Sequence, residues 1–72
     1  MKKPTLQNHV QEYRTKNNLT QVDLAEAVNV TRQTIISIEK GNYEPSVRLG
    51  LKLAKKLNTS VEELFYETQT IS

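Results

Sequence analysis

Cysteine is absent from the sequence, and histidine occurs once, as His9. Without thiols the chain forms neither disulfides nor thiolate metal sites, and a single imidazole does not make a metal site. We therefore expect no metal and no other cofactor. Long apolar runs are also missing: none approaches the roughly 18 consecutive residues that cross a membrane, and the N-terminus lacks the apolar segment of a signal peptide. These absences predict a cytoplasmic protein with no membrane partner.

The chain is short and its net charge is small. Its 72 residues are about half the length of a typical domain, which predicts a single domain over residues 1–72. A domain near this size buries only about 60% of the surface that its unfolded chain exposes, so dimerisation would add to a small margin of stability. The formal net charge of +2 is weak evidence for a polyanionic partner, so the positions of the cations matter more than their number.

Capping residues and apolar spacing predict the first two helices. Helix 1 is expected over about residues 8–17, with Asn8 as its N-cap. Helix 2 begins at the segment Thr20-Gln21-Val22-Asp23, which has the form of a capping box. The apolar residues that follow this box repeat at helical spacing, so the two segments predict an amphipathic helix pair.

A short turn leads from helix 2 into helix 3. Asn29 interrupts the apolar pattern, and asparagine tolerates the left-handed backbone of a tight turn. Thr31 is placed to cap helix 3, which is expected to run through Lys40 and to stop at Gly41. Only three or four residues therefore separate the two helices.

The C-terminal part of the chain predicts two further helices. Ser46 caps helix 4, which extends to about Asn58, and the capping box Ser60-Val61-Glu62-Glu63 begins a short helix 5. Residues 66–72 are expected either to form a short strand that pairs with residues 3–7 or to be a frayed end. The predicted fold is thus all-α with five helices, with short terminal strands as an alternative to fraying.

Helix 3 has two unlike faces at about 100° per residue. Ile35 and Ile38 point inward, and the opposite sector of roughly 140° is mostly polar. That sector contains Arg32, Gln33, Ile36, Ser37 and Lys40. Arginine pairs with guanine, glutamine with adenine and serine with either, whereas an aliphatic side chain contacts the methyl group of thymine. The face suits the base edges of DNA, although an ordinary solvated helix surface is the alternative.

The geometry around helix 3 favours the DNA hypothesis. Helix 2 contains the small residue Ala25, and the short turn after it is the arrangement that holds a second helix outward. Gln21 lies at the start of helix 2, where backbone N–H groups and the helix dipole favour a phosphate. Two elements suited to DNA therefore occur close together.

The segment from Leu19 to Ile35, continued by Ile38-Glu39-Lys40-Gly41, resembles the Xre or Cro/phage-repressor family of helix-turn-helix regulators. The resemblance continues through Pro45-Ser46 and Leu53-Ala54 to the segment of residues 60–65. It implies a lambda-repressor-like fold of five helices, with a helix-turn-helix core at about residues 20–40, that binds duplex DNA. The chain departs from the family pattern where Asn29 replaces a common glycine and where Ile36 replaces a smaller residue.

Site residues follow from this resemblance and from the helical wheel. Base contacts are expected from Arg32, Gln33, Ile36 and Ser37. Phosphate contacts are expected from Gln21, Lys40, Asn42, Tyr43 and Ser46, with support of helix 3 as the alternative role of Gln21. Arg14 and Glu39 resemble a family ion pair, and pairing is favoured because an unpaired carboxylate at the edge of the inward face is costly.

The resemblance implies a transcriptional regulator, and we expect a repressor that binds a palindromic operator as a homodimer. The dimer contact is predicted within residues 60–72, from an apolar patch of Val61, Leu64, Phe65 and Tyr66. Activation by the same contacts is an alternative, and so is an antitoxin that also binds a toxin.

A protein-interaction module that does not read bases belongs to a different class, and the polar face of helix 3 argues against it. The carboxylates Asp23, Glu26, Glu62 and Glu63 are interpreted as helix caps and first-turn charges. Because no catalytic constellation is present in the sequence pattern, we do not expect an enzyme.

Overall fold

The computed structural model describes residues 5–68. Five helices and two short strands follow one another along the chain: β1 Thr5–Asn8, α1 Val10–Lys16, α2 Gln21–Ala27, α3 Arg32–Glu39, α4 Val47–Lys56, α5 Val61–Leu64 and β2 Phe65–Thr68. The predicted five-helix fold is confirmed. No helix within residues 5–68 is long and apolar enough to span a membrane.

Side-chain caps begin four of the helices, as the sequence predicts. The hydroxyls of Thr20, Thr31, Ser46 and Ser60 each accept a hydrogen bond from the backbone N–H three residues further on. In α2 the box is reciprocal, because the Asp23 carboxylate also accepts from the Thr20 backbone N–H at 2.9 Å. These bonds satisfy donors that a helix start leaves without an intrahelical partner.

The start of α1 differs from its prediction. His9 is the N-cap and makes no capping bond through its side chain, so the assignment of Asn8 to this position is wrong by one residue. Asn8 instead ends β1 and is paired with Phe65 in the sheet. Its side-chain oxygen still accepts a hydrogen bond from the Val10 N–H at 3.0 Å, so it supports the same helix from outside.

Left-handed residues form the tight turns between helices. Asn29 has φ 62° and Gly41 has φ 80°, as predicted for the ends of α2 and α3. Asn18 and Asn58 adopt the same conformation after α1 and α4, with φ 60° and 59°. Asparagine reaches this region more readily than most residues, so it serves where the chain has few glycines.

The two strands form an antiparallel pair that joins the ends of the described chain, with Thr5 opposite Thr68 and Asn8 opposite Phe65. The strand alternative is therefore confirmed, but the pairing begins earlier than residue 66. Phe65 is the first residue of β2, so the short helix α5 ends at Leu64. Residues 1–4 and 69–72, which the predicted strands included in part, lie outside the described residues.

The core combines apolar side chains from all five helices: Val10, Leu24, Ala25, Val28, Ile35, Ile38, Leu49, Leu53, Ala54, Leu57 and Leu64. Leu64 is fully buried in this core. Its carbonyl also accepts from the His9 N–H at 2.9 Å, which ties α5 to the start of α1. The prediction that Leu64 belongs to the dimer contact is therefore wrong, because the protomer uses this side chain for its own packing.

Candidate nucleic-acid interface

The outer face of α3 carries the residues that the sequence predicts to contact bases. Ile35 and Ile38 are fully buried and fix which side of α3 faces the core. Arg32 and Gln33 on the opposite side are exposed, whereas Ile36 and Ser37 are half-buried. All four side chains thus lie on the surface of a helix whose orientation is set by its apolar side.

A shallow depression of about 320 Å³ joins α3 to the loop that follows it. Gln33 and Ser37 line this depression together with Asn42 and Tyr43. Two predicted base contacts and two predicted phosphate contacts therefore share one concave surface. Tyr43 is 48% exposed there, although it is a large aromatic residue.

Other predicted contact residues lie outside this depression. Arg32 and Ile36 belong to the same face of α3 but do not line it. Lys40 is the exposed C-cap of α3. The hydroxyl of Ser46 accepts from the Leu49 N–H at 3.1 Å and is exposed, so this residue caps α4 at the end of the loop.

An ion pair between Arg14 and Glu39 holds the last turn of α3. Arg14 Nε donates to Glu39 Oε2 at 2.6 Å, and Nη2 donates to Oε1 at 3.3 Å. The side chains are only 10% and 5% exposed, respectively. Arg14 Nη1 also donates to the carbonyl of Leu19 at 2.9 Å. One guanidinium thus links α1, the loop before α2 and the end of α3.

Gln21 takes part in the same network. Its Nε2 donates to Glu39 Oε1 at 3.1 Å, so the first residue of α2 is bonded to the last residue of α3. This geometry favours the role of supporting α3, which the sequence left as an alternative. A phosphate contact by Gln21 remains a prediction.

Asn8 is a supporting residue that the sequence reasoning assigned only to a helix cap. Its Nδ2 donates to the Ile38 carbonyl at 2.8 Å, across 30 positions of the chain. The Ile38 carbonyl also accepts from the Gly41 N–H at 2.9 Å, so the Asn8 amide is an additional donor that ties the end of β1 to the last turn of α3. No local sequence signal indicates this contact, because it depends on where β1 lies.

The lysines of α4 line a different part of the surface. Lys52, Lys55 and Lys56 surround an open cleft of about 590 Å³ with Asn29 and Asn58. This cleft shares no lining residue with the depression beside α3. All three lysines are exposed.

Comparison with known proteins gives one consistent result. A helix-turn-helix family model matches residues 10–64. An uncharacterised helix-turn-helix transcriptional regulator of Methanocaldococcus jannaschii is 48% identical over 60 residues, which cover 83% of this chain and 91% of that protein. The control protein C.SmaI of Serratia marcescens is 40% identical over 62 residues, covering 86% and 74% of the two chains.

A solved structure agrees with these sequence matches. The restriction-modification controller protein C.AhdI of Aeromonas hydrophila superposes with a TM-score of 0.71 at 31% identity, over 76% of this chain and 83% of that chain. The predicted lambda-repressor-like fold is therefore confirmed. The Methanocaldococcus jannaschii relative is named a transcriptional regulator, and the Serratia marcescens relative is named a control protein.

Proposed function

This chain belongs to the Xre-type helix-turn-helix family of DNA-binding transcriptional regulators, and we propose that it is a cytoplasmic repressor that binds a palindromic operator as a homodimer. The observation that carries the proposal is the depression lined by Gln33, Ser37, Asn42 and Tyr43. Groups suited to bases and groups suited to phosphates face the same side there, as a helix inserted in the major groove requires.

Each base-contacting residue has a distinct role in this proposal. Arg32 donates to the O6 and N7 atoms of guanine, and Gln33 pairs with the N6 and N7 atoms of adenine. Ser37 bonds to either base, and Ile36 contacts the methyl group of thymine. Because α3 is anchored by the Arg14–Glu39 pair, these side chains are presented without rearrangement of the fold.

Phosphate contacts hold the protein in register on the duplex. We assign them to Lys40, Asn42, Tyr43 and Ser46, with Gln21 at the start of α2. Lys40 contributes a charge, whereas the other side chains contribute hydrogen bonds. Such contacts orient the protein and strengthen binding to any sequence, but they do not discriminate among bases.

A symmetric dimer explains why the operator is expected to be palindromic. Two-fold symmetry repeats every base contact in two half-sites, and the two recognition helices then lie about 34 Å apart, one turn of DNA. Occupancy of such a site represses transcription by excluding polymerase from overlapping promoter DNA.

Two relatives favour a narrower second candidate. One is named a control protein, and the other is described as a restriction-modification controller protein. Control of restriction-modification genes is therefore a candidate for this chain as well. Mapping the bound site in the genome distinguishes it from a general repressor, because the site then lies upstream of such genes.

The proposal is tested by selecting bound sites from a random DNA pool and comparing two variants on the selected operator. Each bidentate base contact contributes about 1–3 kcal/mol of discrimination, so Gln33→Ala should cost the dimer about 2–6 kcal/mol, or about thirtyfold to more than ten thousandfold in affinity. Binding to random duplex should change little, because Gln33 is uncharged.

Lys40→Ala is the matched control for a phosphate contact. It should weaken operator and random duplex together, and it should reduce the slope of log K against log salt by about 2 per dimer. If Gln33→Ala retains the full preference for the operator, α3 does not read bases through this residue, and the protein-interaction alternative gains support.

A further inference from the structure

The two most exposed of the large aliphatic side chains in residues 5–68, Val47 and Leu51, lie on α4 beside α5. An open groove of about 830 Å³, the α4–α5 groove, is lined by Val47, Leu51, Ala54, Lys55, Thr59, Ser60, Val61 and Glu62. Val47 is 81% exposed and Leu51 is 58% exposed. They are four residues apart on one helix, so their side chains are neighbours on its outer side.

The α4–α5 groove continues into a smaller depression. Val47 and Val61 line both, and the depression adds Leu6, Pro45 and Phe65 to the apolar surface. Gly50 also lines it, and a Cβ added there would meet no atom within 4 Å apart from its chain neighbours and its own helix backbone. Glycine within a helix is less stable than alanine, and no contact within the described chain requires its small size. The apolar surface thus extends from α4 and α5 to Leu6 in β1 and Phe65 in β2.

The side of α4 that packs in the core does not include Val47 or Leu51. Leu49, Leu53 and Ala54 from this helix already pack in the core. Val47 and Leu51 lie outside this buried core. Contiguous apolar surface of this kind marks an interaction site more often than isolated exposed residues do. A phosphate backbone is a poor partner for such a surface, because it offers charge and no apolar area.

Opposite charges at the edge of the groove indicate which partner fits. Lys55 at the end of α4 and Glu62 in the first turn of α5 line the same groove. In a two-fold contact, residue i of one copy meets residue j of the other and the reverse. A surface with an apolar floor and one charge of each sign is therefore complementary to a second copy of itself.

We propose that the α4–α5 groove is the contact between two copies of this chain, with Val47 and Leu51 buried at its centre and Lys55 of each copy paired with Glu62 of the other. This inference rests on the homodimer of the proposed function and gives that dimer its surface. It retains Val61 from the sequence prediction, with Phe65 in the adjoining depression, adds α4, and leaves out Leu64 as a core residue. Tyr66 does not line the groove. Its ring stacks on that of His9, with ring centroids 4.8 Å apart.

Sedimentation equilibrium from about 0.1 to 100 µM, a range that brackets a micromolar Kd, tests the surface. Leu51→Glu should weaken dimerisation at least about a hundredfold, because the symmetric contact then buries an unpaired carboxylate twice. Val22→Glu is the matched control: Val22 is 45% exposed on α2, outside the groove, and its variant should dimerise like the parent. Circular dichroism should show both variants folded, because both positions are exposed.

Reciprocal charge changes test the two-fold register. Lys55→Glu and Glu62→Lys should each weaken the homodimer about tenfold or more, because like charges then face each other twice. Mixed in equal amounts, the two variants should form a heterodimer of nearly parental affinity, since both pairs are again opposite in charge. If the groove bound a different protein instead, mixing the two variants would not restore dimerisation.

Two results would overturn the inference, and they are distinguishable. If Leu51→Glu dimerises like the parent, the groove is not the contact, while the homodimer on its operator still stands. If the parent is monomeric over the whole range and on operator DNA, a second copy is not the occupant and the homodimer of the proposed function also fails. In that case the effect of Gln33→Ala on operator preference still reports separately whether α3 reads bases.

Discussion

The outer face of α3 and the α4–α5 groove are both surface regions, but they differ in chemistry. The face of α3 presents Arg32, Gln33 and Ser37, which donate and accept hydrogen bonds. The groove presents Val47 and Leu51, which do neither and are more than half exposed. The same small core thus supports two surfaces, one suited to a polar, charged duplex and the other suited to a protein.

The largest effect is expected for a substitution on the outer face of α3, which should weaken DNA binding and leave the α4–α5 groove intact. Arg32→Ala should cost about 2–6 kcal/mol on the operator, because two symmetric half-sites each lose a bidentate contact of about 1–3 kcal/mol. Dimerisation measured by sedimentation should be unchanged. Arg48→Ala removes an exposed cation from α4 and is the matched control, expected to lose little on the operator. Equal losses for the two variants would mean that Arg32 acts only as a charge.

The support of α3 is tested by Arg14→Ala. Removing one partner of a buried ion pair costs about 3–5 kcal/mol, and this variant leaves Glu39 buried and without the guanidinium. The free energy of unfolding, measured with urea, should fall by about that amount. Lys16→Ala, on the exposed side of the same helix, should cost less than about 1 kcal/mol. Unchanged stability with lost DNA binding would instead make Arg14 a DNA contact.

The distinction between core and groove is tested by Leu64→Ala and Val47→Ala. Leu64 is fully buried, so its truncation should lower the free energy of unfolding by about 2–5 kcal/mol. Val47 is 81% exposed, so in the monomeric Leu51→Glu background its truncation should change stability by less than about 0.5 kcal/mol. A small effect of Leu64→Ala in urea unfolding would contradict its place in the core.

A smaller effect is expected at the start of α2, which positions Gln21 against α3. Thr20→Ala removes the hydroxyl that accepts from the Asp23 N–H at 3.0 Å, and N-cap losses of this kind cost about 0.5–2 kcal/mol. Thr15→Ala changes an exposed threonine of α1 whose hydroxyl bonds to the carbonyls of Gln11 and Glu12 and caps no helix start, so it should cost less. Thermal unfolding of the two variants measures the difference.

The smallest effect concerns pH. Hydrogen bonds from the Thr20 backbone and hydroxyl lower the pKa of Asp23 below its usual 3.8. Because the pKa of Asp23 is lower in the folded state than in the unfolded state, its ionised carboxylate stabilises the fold at pH values above the unfolded-state pKa. This stabilisation is lost as the pH falls through the folded-state pKa. The difference in melting temperature between the parent and Asp23→Asn should therefore be constant near neutral pH and shrink below about pH 3.8. A difference that grows in acid would contradict this assignment.

Sequence reasoning was most accurate where structure depends on near neighbours. The caps at Thr20, Thr31, Ser46 and Ser60 each bond to a residue three positions away, so their pattern is visible in the chain itself. The one cap that was wrong, Asn8, lies at a junction with a strand. Its environment is set by pairing with Phe65, 57 positions away, which the local pattern does not contain.

In the candidate site, too, the sequence predicts the features that depend on near neighbours and misses those that depend on tertiary contacts. The helical wheel placed Arg32, Gln33, Ile36 and Ser37 on one face because the period of a helix fixes which residues share a side. The wheel does not show that Asn42 and Tyr43 border that face, because the loop after Gly41 decides where they lie. Nor does it show that the amide of Gln21 bonds to Glu39, since that contact depends on the approach of two helices.

The sequence by itself determined the number of helices, most of their starts, their left-handed ends and the polar face of α3, because these follow from contacts within about one helical turn. Tertiary structure alone decided that Leu64 is buried and that Val47 and Leu51 are exposed. All three are aliphatic residues in amphipathic segments, so composition does not separate them. Which side of α4 and α5 the core covers depends on how elements distant in the chain pack, and that packing leaves Val47 and Leu51 uncovered.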